Sequence, residues 1–162
     1  MKILVGFIIG LIAGPVLFAI AGVLGWLPSD ATASPPGWES NVGMRALDAS
    51  LEKRSKGAEN PIKANDSAAL AAGRQLYGDN CAGCHGDQSG PSKWGSKGFY
   101  PRAPQFFQEG TDVDAEEAYA AVHDGIRYSG MGAWRDMMKE DEMWKVANFV
   151  ATIHPVGGEQ MK

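Results

Sequence analysis

The apolar and polar positions divide the chain into three parts: an unbroken apolar run, a proline-rich polar stretch, and a segment with apolar residues at helical spacing. From Ile3 to Leu27 no side chain is charged. A helix of that length covers a hydrocarbon core of about 30 Å, so residues 1–28 are expected to form a single transmembrane anchor. Gly6, Gly10, Gly14 and Pro15 are tolerated in membrane helices, and the glycine repeat would let a second membrane helix approach closely. A cleaved signal peptide is the rival reading, because Ala31-Thr32-Ala33 has the form of a processing site and Lys2 gives a positive start. The apolar run exceeds the roughly 7 to 15 residues of a signal core, which favours retention.

Residues 29–65 are rich in proline, serine, glycine and alanine and are expected to be a linker. Within it, residues 43–55 predict a short helix whose Met44, Leu47 and Leu51 form an apolar stripe. That stripe either docks on the following domain or meets a partner subunit. From residue 66 the pattern becomes helical. Asp66 or Ser67 caps SAALAAGRQLYGDN, in which Leu70, Gly73, Leu76 and Tyr77 share one face. A helical glycine costs about 1 kcal/mol relative to alanine, so Gly73 implies a second helix crossing in close contact.

Asp114-Ala115-Glu116-Glu117 reads as a capping box that opens a helix through Val122, terminated by Gly125. Asp141 to Ile153 predicts an amphipathic helix with Val146, Phe149, Val150 and Ile153 on its apolar face, and His154-Pro155-Val156-Gly157 closes it. Gly86 to Gly110 reads as loop, and no alternating strand pattern occurs. The expected architecture is an all-α domain over residues 66–157 with a tail at 158–162.

The chemistry is concentrated in Cys81-Ala82-Gly83-Cys84-His85, which contains the only two cysteines of the chain. At this C-x-x-C-H spacing two thiols can add to the vinyl groups of a porphyrin while the histidine reaches the iron. The expected cofactor is one covalently attached haem c. A thioredoxin-like redox pair would need a βαβ setting, and a structural zinc would need four ligands; His123 and His154 are the only other imidazoles. With no further cysteine for a structural disulfide, the haem itself must supply much of the core.

The formal charge is −4, and −5 beyond residue 27 because Lys2 is the only charge before it. Nucleic-acid binding is therefore not expected. The acidic residues of Asp112 to Glu117 read as a helix start and a solvated face. Lys93 and Lys97 follow the haem motif as a local basic pair.

Taken together, the chain resembles a monohaem class I cytochrome c carried on an N-terminal membrane anchor. In that family a glycine and an aromatic four residues later, on the N-terminal helix, cross an aliphatic and an aromatic on the C-terminal helix. Gly73 with Tyr77, and Val146 with Phe149, match over residues 66 to 155. The stretch Gly130-Met131-Gly132-Ala133-Trp134 is similar to the family's G-M-P-A-W, with Gly132 in place of proline, and implies Met131 as the distal iron ligand opposite His85. Met44, Met137, Met138 and Met143 read as packing residues, and His123, beside Asp124, is the bis-histidine rival. The resemblance further implies a proline carbonyl, from Pro101 or Pro104, that accepts a hydrogen bond from His85. Trp134 and Tyr77 read either as haem neighbours or as plain core.

The implied function is one-electron transfer in a bacterial respiratory or photosynthetic chain, without enzymatic activity and without a small-molecule substrate. Electron-donor and electron-acceptor proteins are the implied partners. The alternatives are a fixed cytochrome subunit of a larger membrane oxidoreductase, and a haem enzyme or sensor with a labile sixth ligand. The implied location is the bacterial inner membrane, with a single pass and the soluble domain in the periplasm.

Overall fold

The computed structural model describes residues 2–63 and 66–154, apart from the side chains of residues 2–5 and 8. The expected closing residues 155–157 and the tail 158–162 lie outside the described residues. The chain separates into two units, Met1–Ala33 and Ser34–Lys162.

In the first unit the apolar run forms helix α1, Lys2–Val23, with Pro15 inside it. The expected transmembrane anchor is corrected here: among the described residues no helix is long and apolar enough to cross a membrane. The single-pass placement at the bacterial inner membrane, with a periplasmic domain, falls with it.

The second unit opens with α2, Gly37–Ser55, which begins ahead of the expected residue 43 and takes in part of the expected linker. Pro36 supplies the reason. Its φ of −62° is already set for a helix entrance, and Glu39 in the first turn with Lys53 and Arg54 in the last complement the helix dipole. Leu51 is buried and α2 packs on α6, whereas Met44 is exposed. The C-terminal end of the predicted stripe therefore docks on this chain's own domain.

Helix α3, Ser67–Asn80, starts where Asp66 accepts hydrogen bonds from the Ala68 and Ala69 amides. It is followed by α4, Ala82–His85, and α5, Phe106–Glu109, the latter interrupting the expected loop from Gly86 to Gly110. Helix α6, Ala115–Asp124, carries the predicted capping box between Asp114 and Glu117 and stops at Gly125, whose φ is +68°. Helix α7, Glu140–Val150, begins where the Glu142 carboxylate accepts from the Lys139 amide. It ends before Ile153, which nonetheless stays buried in the turn that follows. The described residues contain no β-strand, only an isolated bridge between Asp87 and Gly90.

The core forms where α3 and α6 pack against α7. Tyr77 meets Phe107 and Phe149 edge-on at 5.8 and 5.5 Å between ring centroids. Val146 and Ala147 complete the crossing, Ala147 with no exposed surface at all. Gly73 sits where the helices touch. A Cβ there would lie 2.7 Å from the Lys145 carbonyl carbon and 3.0 Å from Phe149 Cβ, and closer still to the Lys145 oxygen. The predicted close crossing is thus observed, and its partner is α7.

Candidate haem site

Helix α3 runs into the C-x-x-C-H turn without a break, because the Cys81 amide still donates to Tyr77 O at 2.8 Å. The amides of Cys84 and His85 both donate back to Cys81 O, at 3.1 and 2.9 Å, so one short turn presents both thiols and the imidazole. Gly86 ends the turn at φ +72°, a left-handed geometry that suits glycine. The Tyr77 hydroxyl donates to Gly86 O at 2.8 Å, tying this end to the core. Tyr77 is accordingly a core residue that also anchors the motif. Both cysteines carry free thiols and are half-buried. Burial, and secondarily Cys84, push the Cys81 thiol up to about 12, so it is held neutral.

His85 Nδ1 lies 2.9 Å from Pro104 O. A carbonyl only accepts, so Nδ1 carries the proton and the lone pair of Nε2 is left free for a metal. Of the two prolines left open by the sequence, Pro104 is the partner. Burial lowers the imidazole's pKa, with the Pro104 bond opposing it, which favours the neutral ligand form. Phe106 stacks on the ring at 4.8 Å, fixing its plane.

Met131 sits in the loop after α6. The loop is closed at its base by the Ile126 amide donating to Met131 O at 3.0 Å and the Trp134 amide donating to Val122 O at 3.0 Å. Ser129 Oγ braces the interior, donating to Ile126 O and accepting from the Met131 amide. Met131, Trp134 and Cys81 all border the same core cluster. Gly130 presses on the Phe99 ring, which in turn packs on Trp94 at 4.5 Å, so the loop after the cysteine motif meets the Met131 loop there.

The other sulfur and imidazole groups are placed differently. Met143 is buried on α7, Met138 borders the core, Met137 and Met44 are exposed, and His123 Nδ1 donates to Asp124 at 2.8 Å. Tyr128 has a φ of +62° and is 88% exposed, so its ring contributes little burial to offset a left-handed backbone. Tyr128→Asn is expected to raise stability by about 0.5 to 1 kcal/mol, read from chemical denaturation; a loss would refute the strain.

Two residues that sequence reasoning missed hold the motif in place. Gln105 is only 4% exposed and Ser92 is likewise buried. Gln105 Oε1 accepts from the Ser92 amide at 2.7 Å, while its Nε2 donates to Cys84 O at 3.0 Å and Ala103 O at 2.7 Å. Ser92 Oγ donates to Gly83 O at 2.6 Å and accepts from the Gly95 amide at 2.9 Å. Gly95 itself lies against the Cys84 backbone too closely for any side chain. No hydropathy pattern marks these residues, since a polar residue in a loop normally faces solvent. Gln105→Leu strands the Ser92 amide and the Cys84 carbonyl in a dry interior, and is expected to cost about 2 to 4 kcal/mol. Denaturation of the purified variant checks this, and an unchanged midpoint would remove Gln105 from the support of the motif.

Asp124, at the end of α6, accepts from His123 Nδ1 and from Arg135 Nη1 at 3.1 Å and lies 3.6 Å from Arg54 Nη1. The His123 bond first, then the positive charges of His123, Arg54 and Arg135, hold its carboxyl below the ordinary 3.8. A carboxylate with a depressed folded pKa adds stability that is complete above its unfolded pKa and lost as pH falls through the folded value. Asp124→Asn should therefore be less stable than the parent at pH 7, with the gap closing below about pH 4. A gap of constant size across that range would contradict the charge assignment.

These groups fit a c-type haem: two free thiols and an imidazole with a free Nε2 on one turn, and a thioether on a loop that borders the same core. The rivals gain no such support. The described residues are helical, not βαβ, and among them no three His, Cys, Asp or Glu side chains are grouped to hold a metal ion.

A family model described as cytochrome C oxidase, cbb3-type, subunit III matches residues 68–150. No curated protein and no solved structure matches the chain. The matched segment runs from the first turn of α3 to the last residue of α7 and contains the cysteine motif, Pro104, Gln105 and Met131. A cytochrome c domain of this kind carries covalently bound c-type haem with its iron and serves haem-based electron transfer. Because the match spans more than half of the chain, the chain belongs to the family of cbb3-type cytochrome c oxidase subunit III, a c-type cytochrome family.

Proposed function

We propose that the chain is a one-electron transfer protein of a bacterial respiratory chain, not an enzyme. In this reading Cys81 and Cys84 would hold the haem, His85 and Met131 would supply the protein ligands to its iron, and residues 66–157 would form the haem domain. The observation that carries it is the His85 Nδ1 bond to Pro104 O, which leaves Nε2 free beside two free thiols. Bound there, the haem supplies an iron that alternates between ferric and ferrous. Pro104 fixes the tautomer and plane of His85, and Phe106 backs the ring. Met131 offers a neutral thioether, which favours the ferrous state and raises the potential above that of a bis-histidine site. With His85 and Met131 both bound to the iron, no coordination position would remain for a substrate, and the group would supply one-electron transfer alone. Gln105 and Ser92 keep the motif in one arrangement, which limits rearrangement between the oxidation states.

The family's description, naming an oxidase subunit, favours a fixed cytochrome subunit of a larger oxidoreductase over a free shuttle. Its partners are then neighbouring redox subunits and an electron-donor protein. Spectroscopy tests the common core of both versions. The oxidised protein should show the weak charge-transfer absorption of an iron–thioether bond and bind neither cyanide nor carbon monoxide at neutral pH. Ready ligand binding in both oxidation states would reject electron transfer in favour of a haem enzyme or sensor.

A further inference from the structure

Arg54 lies on α2, outside the segment matched by the family, yet it reaches the loop that carries Met131. Its Nη1 donates to Gly125 O at 3.1 Å and lies 3.6 Å from Asp124 Oδ2. Gly125 is where α6 stops, and its backbone is pressed onto the returning arm of the loop. A Cβ there would lie 2.7 Å from both Ala133 N and Gly132 C and 2.9 Å from Met131 O. The position of Gly125 thus fixes that of residues 131–133. Asp124 ties the far side of the same loop, since Arg135, just beyond Trp134, donates to it. Entrance and exit therefore converge on one carboxylate, and Arg54 holds that junction from a separate helix.

Arg54 is placed for this purpose by packing. Leu51, one turn earlier on α2, is buried, and α2 rests on α6. The Arg54 side chain is 27% exposed with a buried Nε, unlike the solvated ends of an ordinary surface ion pair. A planar guanidinium can engage a carbonyl and a carboxylate together, which an ammonium does less well.

We propose that Arg54 is a positioning residue for the distal ligand: it clamps the base of the 125–134 loop from α2 and so keeps Met131 directed at the iron. The proposal rests on the reading of Met131 as that ligand. Loss of the clamp loosens the loop while leaving the α3–α7 core intact.

The test uses the full haem-loaded chain with Arg54→Met, which keeps the apolar stem, Arg54→Lys, which restores one charge, and Lys56→Met as a control. Lys56, just past the end of α2, pairs only with Glu52 among the described residues. Hydrogen exchange at the Ile126 and Trp134 amides reads the loop base directly. Arg54→Met should speed both by about tenfold or more while α7 amides such as Ala147 and Val150 keep their rates. Arg54→Lys should fall between, and Lys56→Met should match the parent. In the same proteins the iron–thioether absorption of Arg54→Met should vanish at a lower denaturant concentration than the far-ultraviolet helix signal. Unchanged exchange at Ile126 and Trp134, or an equal rise across α7, would overturn the clamp. A parent protein without thioether absorption would instead refute the ligand reading, while the exchange rates would still decide whether Arg54 holds the loop.

Discussion

Gly73→Val should destabilise the protein by roughly 3 kcal/mol or more. The size follows from what stands in the way. The new Cβ meets the Lys145 carbonyl, which is helix backbone and cannot swing aside, and Phe149 Cβ directly behind it. Relief requires α3 and α7 to move apart, and that separation opens the Tyr77, Phe107 and Phe149 cluster. Gly73→Ala should show the same effect on a smaller scale, since even one methyl group does not fit. Denaturant midpoints for the haem-loaded variants give the comparison, and a valine variant within 0.5 kcal/mol of the parent would mean that the crossing is looser than described.

The same residue shows why part of the fold was legible. A glycine in the middle of a helix needs a packing reason, so Gly73 implies a close crossing, and the resemblance supplies the C-terminal helix as its partner. The capping box at Asp114 and Glu117 and the stop at Gly125 were readable for a related reason, because local hydrogen bonds and a left-handed backbone depend on nearby residues alone. The cysteine motif was legible as chemistry, since its spacing is covalent geometry.

What was hidden depends on contacts between segments far apart in the chain. Gln105 and Ser92 look like ordinary loop residues until the loop from 86 to 105 folds back over Cys84. Arg54 looks like one more cation at a helix end until α2 lies on α6. Pro101 and Pro104 are equivalent in sequence, and only the tertiary path brings Pro104 O to His85. The apolar run of α1 misled in the opposite sense. It suggested an anchor from composition, whereas among the described residues no helix is long and apolar enough to cross a membrane.

Met131→Ala should lower the reduction potential by on the order of 100 mV or more and open the iron to carbon monoxide and cyanide. On the proposed ligation, removing the thioether takes away the ligand that favours the ferrous state, and alanine offers nothing to replace it. The helices should survive, because Met131 only borders the core and the loop base is closed by the Ile126 and Trp134 amides. Met137→Ala serves as the comparison, since Met137 is exposed, and its potential should match the parent. A Met131→Ala protein that keeps its iron–thioether absorption would transfer the ligand role to another sulfur, with Met138 beside the core as the next candidate. A parent protein already open to carbon monoxide would remove the closed coordination on which electron transfer without catalysis depends.

The Met131 expectation presupposes a haem held by thioether bonds from Cys81 and Cys84, and acid–acetone extraction followed by a haemochrome spectrum measures these directly. Colour should remain with the parent polypeptide and pass into the solvent when both cysteines are replaced by serine. Haem that extracts freely from the parent protein would contradict covalent attachment.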